Sequence, residues 1–181
     1  VAFTSDLDQI TRAAAGDPAA VRALVHRYSA GVLGLATRML GDRTEAEDVT
    51  QETFLRAWKA LPNWEPRAKF STWLHRVALN LCYDRLRKRK ESLPGDLPDI
   101  SDTRLAPHDA LDQTQRVSAI EAAIGALPER QGAALTLCAL QGHSQAEAAE
   151  ILDVSVEALE SLLARARRTL RAQLLEGRTS A

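Results

Sequence analysis

Apolar residues in this chain return every three or four positions almost throughout, and they seldom alternate every second residue. Residues three and four apart share one face of a helix, whereas a strand needs a period of two, so the pattern restricts the chain to an all-α fold. Asp17-Pro18 opens one helix, with Asp as cap and Pro in the first turn. Val21, Leu24, Val25, Tyr28, Val32, Leu35, Ala36 and Met39 then form a single stripe that stops at Gly41. Thr44 and Glu47 have capping-box spacing for a second helix, whose Val49, Phe54, Leu55, Trp58 and Leu61 face inward until Pro62 ends it. After a loop from Asn63 to about Lys69, a third helix runs from near Ser71 through Trp73, Leu74, Val77, Ala78, Leu81 and Leu86 into Arg87-Lys88-Arg89-Lys90.

The periodicity stops from Glu91 to about Asp112. Pro94, Gly95, Pro98 and Pro107 sit there among six acidic residues and one arginine, Arg104, the pattern of a flexible acidic linker. The expected organisation is two small helical domains, residues 1–92 and 114–181, joined by a linker over 93–113. In the second, Val117, Ile120, Ile124 and Leu127 form one helix. Pro128 starts the next, which carries Ala134, Leu135, Leu137 and Leu140 to Gly142. Ser144 and Glu147 then form a capping box, Ser155 can cap a following helix, and Ala148 and Ala149 let two helices cross closely. With Ile151, Leu152, Val154, Leu159 and Leu162 as the apolar seam, this is a helix-turn-helix whose second helix runs into Arg165, Arg167, Arg168 and Arg171.

A net charge of −1 over 181 residues hides this patterning: residues 67–90 are dominated by bases, and the segment after them is acidic. Cys82 and Cys138 each lie in an apolar helical pattern and are expected to be reduced thiols. The four histidines show no ligand spacing, so neither a metal nor a cofactor is expected. No apolar run is long enough to span a bilayer and no signal-peptide order opens the chain, which points to the cytoplasm. There is no Gly-rich phosphate loop and no catalytic arrangement of Ser, His and acidic residues, so neither an enzyme nor a small-molecule substrate is indicated.

Ala46-Glu47-Asp48-Val49-Thr50-Gln51-Glu52-Thr53-Phe54-Leu55-Arg56-Ala57-Trp58, followed by Phe70-Ser71-Thr72-Trp73-Leu74-His75-Arg76-Val77-Ala78-Leu79-Asn80, closely resembles bacterial sigma factors, and more narrowly the extracytoplasmic-function group. The resemblance covers nearly the whole chain and implies the second and fourth sigma domains in that order. It also implies a monomer when free, whose partners are core RNA polymerase, promoter DNA and an anti-sigma factor that can itself be membrane-bound. By the same resemblance Asp48, Gln51 and Glu52, with Arg56 beside them, grip the polymerase clamp helices. It assigns the −10 element to Asn80 and its neighbours, with the loop of Trp64, Arg67 and Lys69 accepting a flipped base. Arg76, Asp84, Arg87, Lys88 and Arg89 complete that face, the cations contributing affinity more than specificity.

Trp58 and Trp73 belong to the packing stripe, and Trp64 is the more open case. At the −35 element, Ser155, Glu157, Ala158, Glu160 and Ser161 should face base edges, and Arg165, Arg167 and Arg168 the phosphates. Ala158, Glu160 and Leu162 depart from the residues common in the family. Glu160 repels phosphate, yet it can accept a bond from cytosine N4. Two rival readings follow: a mimic that occupies an anti-sigma protein without touching DNA, or a helix-turn-helix regulator with an N-terminal sensing domain.

Overall fold

The computed structural model describes residues 2–65, 68–92 and 122–179, and every regular element among them is helical. The N-terminal half holds α1 (Ala2–Ala14), α2 (Pro18–Leu40), α3 (Arg43–Ala60) with a single 3₁₀ turn at Leu61–Asn63, and α4 (Phe70–Ser92). The C-terminal half holds a helical turn at residues 122–125, α5 (Glu129–Leu135), α6 (Gln145–Leu152) and α7 (Val156–Thr179). Val117, Ile120 and the expected acidic linker lie outside the described residues.

Local chemistry fixes most helix ends. The Asp17 carboxylate accepts from the Ala19 and Ala20 amides, Pro18 fills the first turn, and Gly41 ends α2 at φ 66°, a conformation that costs glycine little. The start of α3 differs from the capping box expected at Thr44: Asp42 is the cap, accepting from the Glu45 amide at 2.9 Å, and Glu47 pairs with Arg43 instead. An Asp immediately before the helix competes better for the free amides than a Thr already inside it. α1 was not expected from the sequence. It docks on α2 through buried Ile10 and Ala13, and its Asp6 accepts from the Tyr28 hydroxyl and pairs with Arg27.

Leu24, Val32, Leu35 and Ala36 of α2, Val49 and Ala57 of α3, and Leu74, Ala78 and Cys82 of α4 are closed to solvent and form the N-terminal part of the core. Burial pushes the Cys82 thiol up to about 12, so it stays protonated, whereas Cys138 is only half-buried. The same core continues through Ala133, Ala134, Leu137, Ile151, Leu152, Leu159, Leu163 and Ala166. After Leu135 the backbone widens: the Gln141 amide donates to the Thr136 carbonyl at 3.0 Å, a bond five residues long. That wide turn shifts the register, so Leu140, expected inside, is 44% exposed.

The two halves pack together, α6 against α4 and α5 against α2. Ala148→Leu should force a side chain into the closed crossing and cost about 1–3 kcal/mol in urea unfolding, whereas Ala158→Leu on the open face of α7 should change stability by less than about 0.5 kcal/mol.

Candidate functional site

α3 buries Ala46, Val49, Thr53, Phe54 and Ala57, spaced three and four apart, which leaves Asp48, Gln51, Glu52, Leu55 and Arg56 on the opposite face. These residues form a ridge between two hollows. A cleft of ≈ 400 Å³ lies toward α4, where the ridge meets Leu81, Asp84, Arg85 and Lys88. An apolar groove of ≈ 360 Å³ lies toward α2, walled by Val25, Leu33, Phe54 and Trp58. Leu55, expected to face inward, stands instead on the crest at 47% exposure, because the buried phase of α3 runs through Thr53, Phe54 and Ala57. Arg56 donates to Glu52 at 2.8 Å and holds its carboxyl below the usual carboxylate range, and Arg85 approaches Asp48 at 3.7 Å. Exposed pairs of this kind stabilise a helix little, so the fold alone gives no reason for so much charge here.

On α4 the spacing of Arg76, Asn80, Asp84, Arg87 and Lys88 places one polar face opposite the buried Thr72, His75, Ala78, Leu79 and Cys82. Asn80 is exposed, and the Lys88 ammonium makes no ion pair among the described residues. Asp84 accepts from Arg87 at 2.9 Å. Arg89 is engaged differently from the expectation of a phosphate contact: its guanidinium donates to the Leu40 carbonyl at 2.9 Å and pairs with Glu45 at 2.8 Å, tying α4 to the turn between α2 and α3. Trp64 is half-buried with its ring edge-on to Phe70, centroids 5.7 Å apart, so one side of it packs. Arg67 lies outside the described residues.

Part of this face is engaged by the helix-turn-helix, which the sequence did not reveal. Lys69 pairs with Glu147 of α6 at 2.5 Å, Arg76 donates to the Glu150 carbonyl, and Lys90 pairs with Glu129 at 2.6 Å. Asn80 and Arg76 open into a cleft of ≈ 440 Å³ whose far wall is Glu129, Arg130 and Ile151 to Asp153. Tyr83 lines the same cleft and was not singled out, although its place one turn after Asn80 was a usable signal. Glu147 serves twice. Lys69 first, then the Ser144 amide and hydroxyl, bring its carboxyl down to about 2.

The expected capping box at Ser144 is present, Asp153 ends α6 in the left-handed region at φ 54°, and the Ser155 hydroxyl accepts from the Ala158 amide at 3.2 Å. α7 turns Leu159, Leu163 and Ala166 inward, so the seam runs through Leu163 while Leu162 is only half-buried. Ser155, Glu157, Ala158, Glu160, Ser161, Arg165, Arg167 and Arg168 are all exposed. Glu157 is held below the ordinary carboxylate range by its own amide and by Ser155, so the leading end of the helix is firmly anionic and the cations follow two turns later.

The Sigma-70 region 2 family matches residues 24–92 and the Sigma-70 region 4 family matches residues 118–170. The chain is 33% identical over 171 residues to the ECF RNA polymerase sigma factor SigW of Bacillus subtilis, covering 88% of this chain and 91% of that protein. The chain belongs to the ECF sigma factors. It is 34% identical to SigE of Mycolicibacterium smegmatis, covering 87% of this chain and 64% of that longer relative. The structure of CnrH in complex with the cytosolic domain of CnrY superposes with a TM-score of 0.69 at 31% identity, over 93% of this chain and 96% of that one. The sigma factor RpoE of Bartonella quintana, solved with the anti-sigma factor NepR, shares the fold at a TM-score of 0.65 and 21% identity, over 84% of this chain and 95% of that one.

For this sigma factor the inward role of Arg89 separates two neighbouring cations. Arg89→Ala should lower stability by about 1 kcal/mol, the value of charged hydrogen bonds reduced for partial exposure, whereas Lys88→Ala should leave the urea midpoint unchanged. Urea unfolding of both variants checks this.

Proposed function

We propose that this sigma factor binds core RNA polymerase through the α3 ridge, reads the −10 element with α4 and the preceding loop, and reads the −35 element with α7. The observation that carries the reading is the open polar ridge of Asp48, Gln51, Glu52 and Arg56, on the same chain as a helix-turn-helix whose outward face is bare. The division into domains at 1–92 and 114–181 follows from it, with residues 93–113 as connector. Free of partners the chain is a monomer of the cytoplasm, and no helix among the described residues is long and apolar enough to cross a membrane. The related sigma factors solved with bound proteins support control by an anti-sigma factor, which would cover the α3 ridge.

Charge on α7 supports a second reading. Glu157 and Glu160 lie where a recognition helix first meets DNA, and two carboxylates there oppose phosphate. A mimic that only occupies an anti-sigma protein would tolerate them; a sigma factor would turn them to cytosine N4.

Purified chain added to sigma-free core polymerase on fragmented genomic DNA should give discrete transcript starts sharing upstream elements. Asp48→Ala with Gln51→Ala should lower core affinity at least about tenfold without shifting the unfolding midpoint, since each removes an exposed side chain. Wild-type core affinity in the double variant removes the docking assignment. Core binding without any transcript favours degenerate DNA contacts, and absence of both favours the mimic.

A further inference from the structure

Where the helix-turn-helix meets α4, two histidines from opposite halves stand face to edge. His75 of α4 and His143, just before the capping box of α6, have ring centroids 4.9 Å apart at 79°. His75 is 4% exposed. Its Nδ1 lies 2.8 Å from the Ser71 carbonyl, which can only accept, so the ring carries its proton on Nδ1. Nε2 is then a bare acceptor, buried without a hydrogen-bond partner. It faces Gly31 of α2, where even a Cβ would come within 3.3 Å. A proton added at Nε2 would create a buried cation with no acceptor in reach, so His75 stays a neutral neighbour of His143.

We propose that the His75–His143 pair is a proton-sensitive latch, holding the helix-turn-helix against α4 while both rings are neutral and releasing it when His143 takes up a proton. Every element around the pair is consistent with this. From α4 and its leading loop come the Ser71 carbonyl, Arg76 and Lys69, and the last of these adds positive charge near His143. From α6 come Glu147, which attracts a proton to His143, and Glu150 beyond it. On α2 the charged side chains near Gly31 are engaged elsewhere, Arg27 with Asp6 and Arg38 with the Gly34 carbonyl. Burial is the largest influence on both rings and holds both below the usual histidine range, His75 further opposed by His143.

The sign follows from linkage. Groups whose protonation is suppressed in the docked state favour docking above the ordinary histidine value, and that contribution fades as pH falls. The ion pair beside them does not compete in this range. Glu147 stays ionised down to about 2, so Lys69 keeps its partner throughout. Release would free Arg76 and remove the far wall of the cleft beside Asn80, a consequence whose meaning rests on the −10 reading of α4; the latch itself does not.

Small-angle scattering of the full chain between about pH 8 and about pH 5.5 tests it. The radius of gyration should rise on acidification at constant helical circular dichroism, the docked-to-released ratio falling by up to about tenfold per pH unit for each proton bound. His143→Phe keeps a ring in place without a titrating nitrogen and should stay compact at both ends, and His143→Lys should be expanded at both. Equal radii for the natural chain at both pH values, expansion accompanied by loss of helix, or acid release persisting in His143→Phe would overturn the proposal.

Discussion

α4 has to satisfy three neighbours at once, and the rest of the molecule depends on how its circumference is divided. One arc carries Leu74, Ala78 and Cys82 into the core shared with α2 and α3. A second, through Arg85 and Arg89, reaches the start of α3 and the end of α2. The remaining arc is polar and meets the helix-turn-helix. A helix with only one buried stripe can tilt about its axis with modest loss of burial; two polar ties on its flank oppose that rotation. The outward orientation of Asn80 is therefore determined by residues on the other two arcs of the helix.

Much of this was legible because helix periodicity and capping are local. Asp17-Pro18, Gly41 and the Ser144–Glu147 box each act within a few residues, and each appears where the spacing places it. The cap of α3 was misplaced by two residues because Asp42 and Thr44 are both competent caps and only competition between them decides. α1 escaped notice because it presents few large apolar residues, and its tie to Tyr28 spans twenty-two positions. The wide turn at Thr136–Leu140 has no sequence signature of its own, yet it turns Leu140 outward and lets Gln141 donate to the Gly31 carbonyl at 2.7 Å.

For the candidate site, the outward polar residues of α3 and α7 could be found from helical phase, because phase decides exposure, whereas apolar character misplaced Leu55. Which cations stay free could not. Lys69, Arg76, Arg89 and Lys90 lie in one basic run, but their partners are Glu147, the Glu150 carbonyl, Leu40 with Glu45, and Glu129, all remote in sequence. A run of bases announces a charged surface; it does not say which heads are already neutralised.

Polar ties supplement the apolar packing between the halves. The core that runs through both is built from closed aliphatic side chains, whose removal costs several kcal/mol apiece. Beside the apolar packing of Leu79, Ile151 and Leu152, the ties across the junction are ion pairs at the protein edge, arginine and glutamine bonds to carbonyls, and two imidazoles set edge to face. Exposed pairs contribute about 0–1 kcal/mol each and weaken further with salt. A partner that binds only the separated form with a concentration ~100-fold above its dissociation constant shifts the balance by about 2.7 kcal/mol, comparable to several such ties together. The polar ties between the halves are thus comparable in energy to a single binding event, whereas the apolar core beneath them is not.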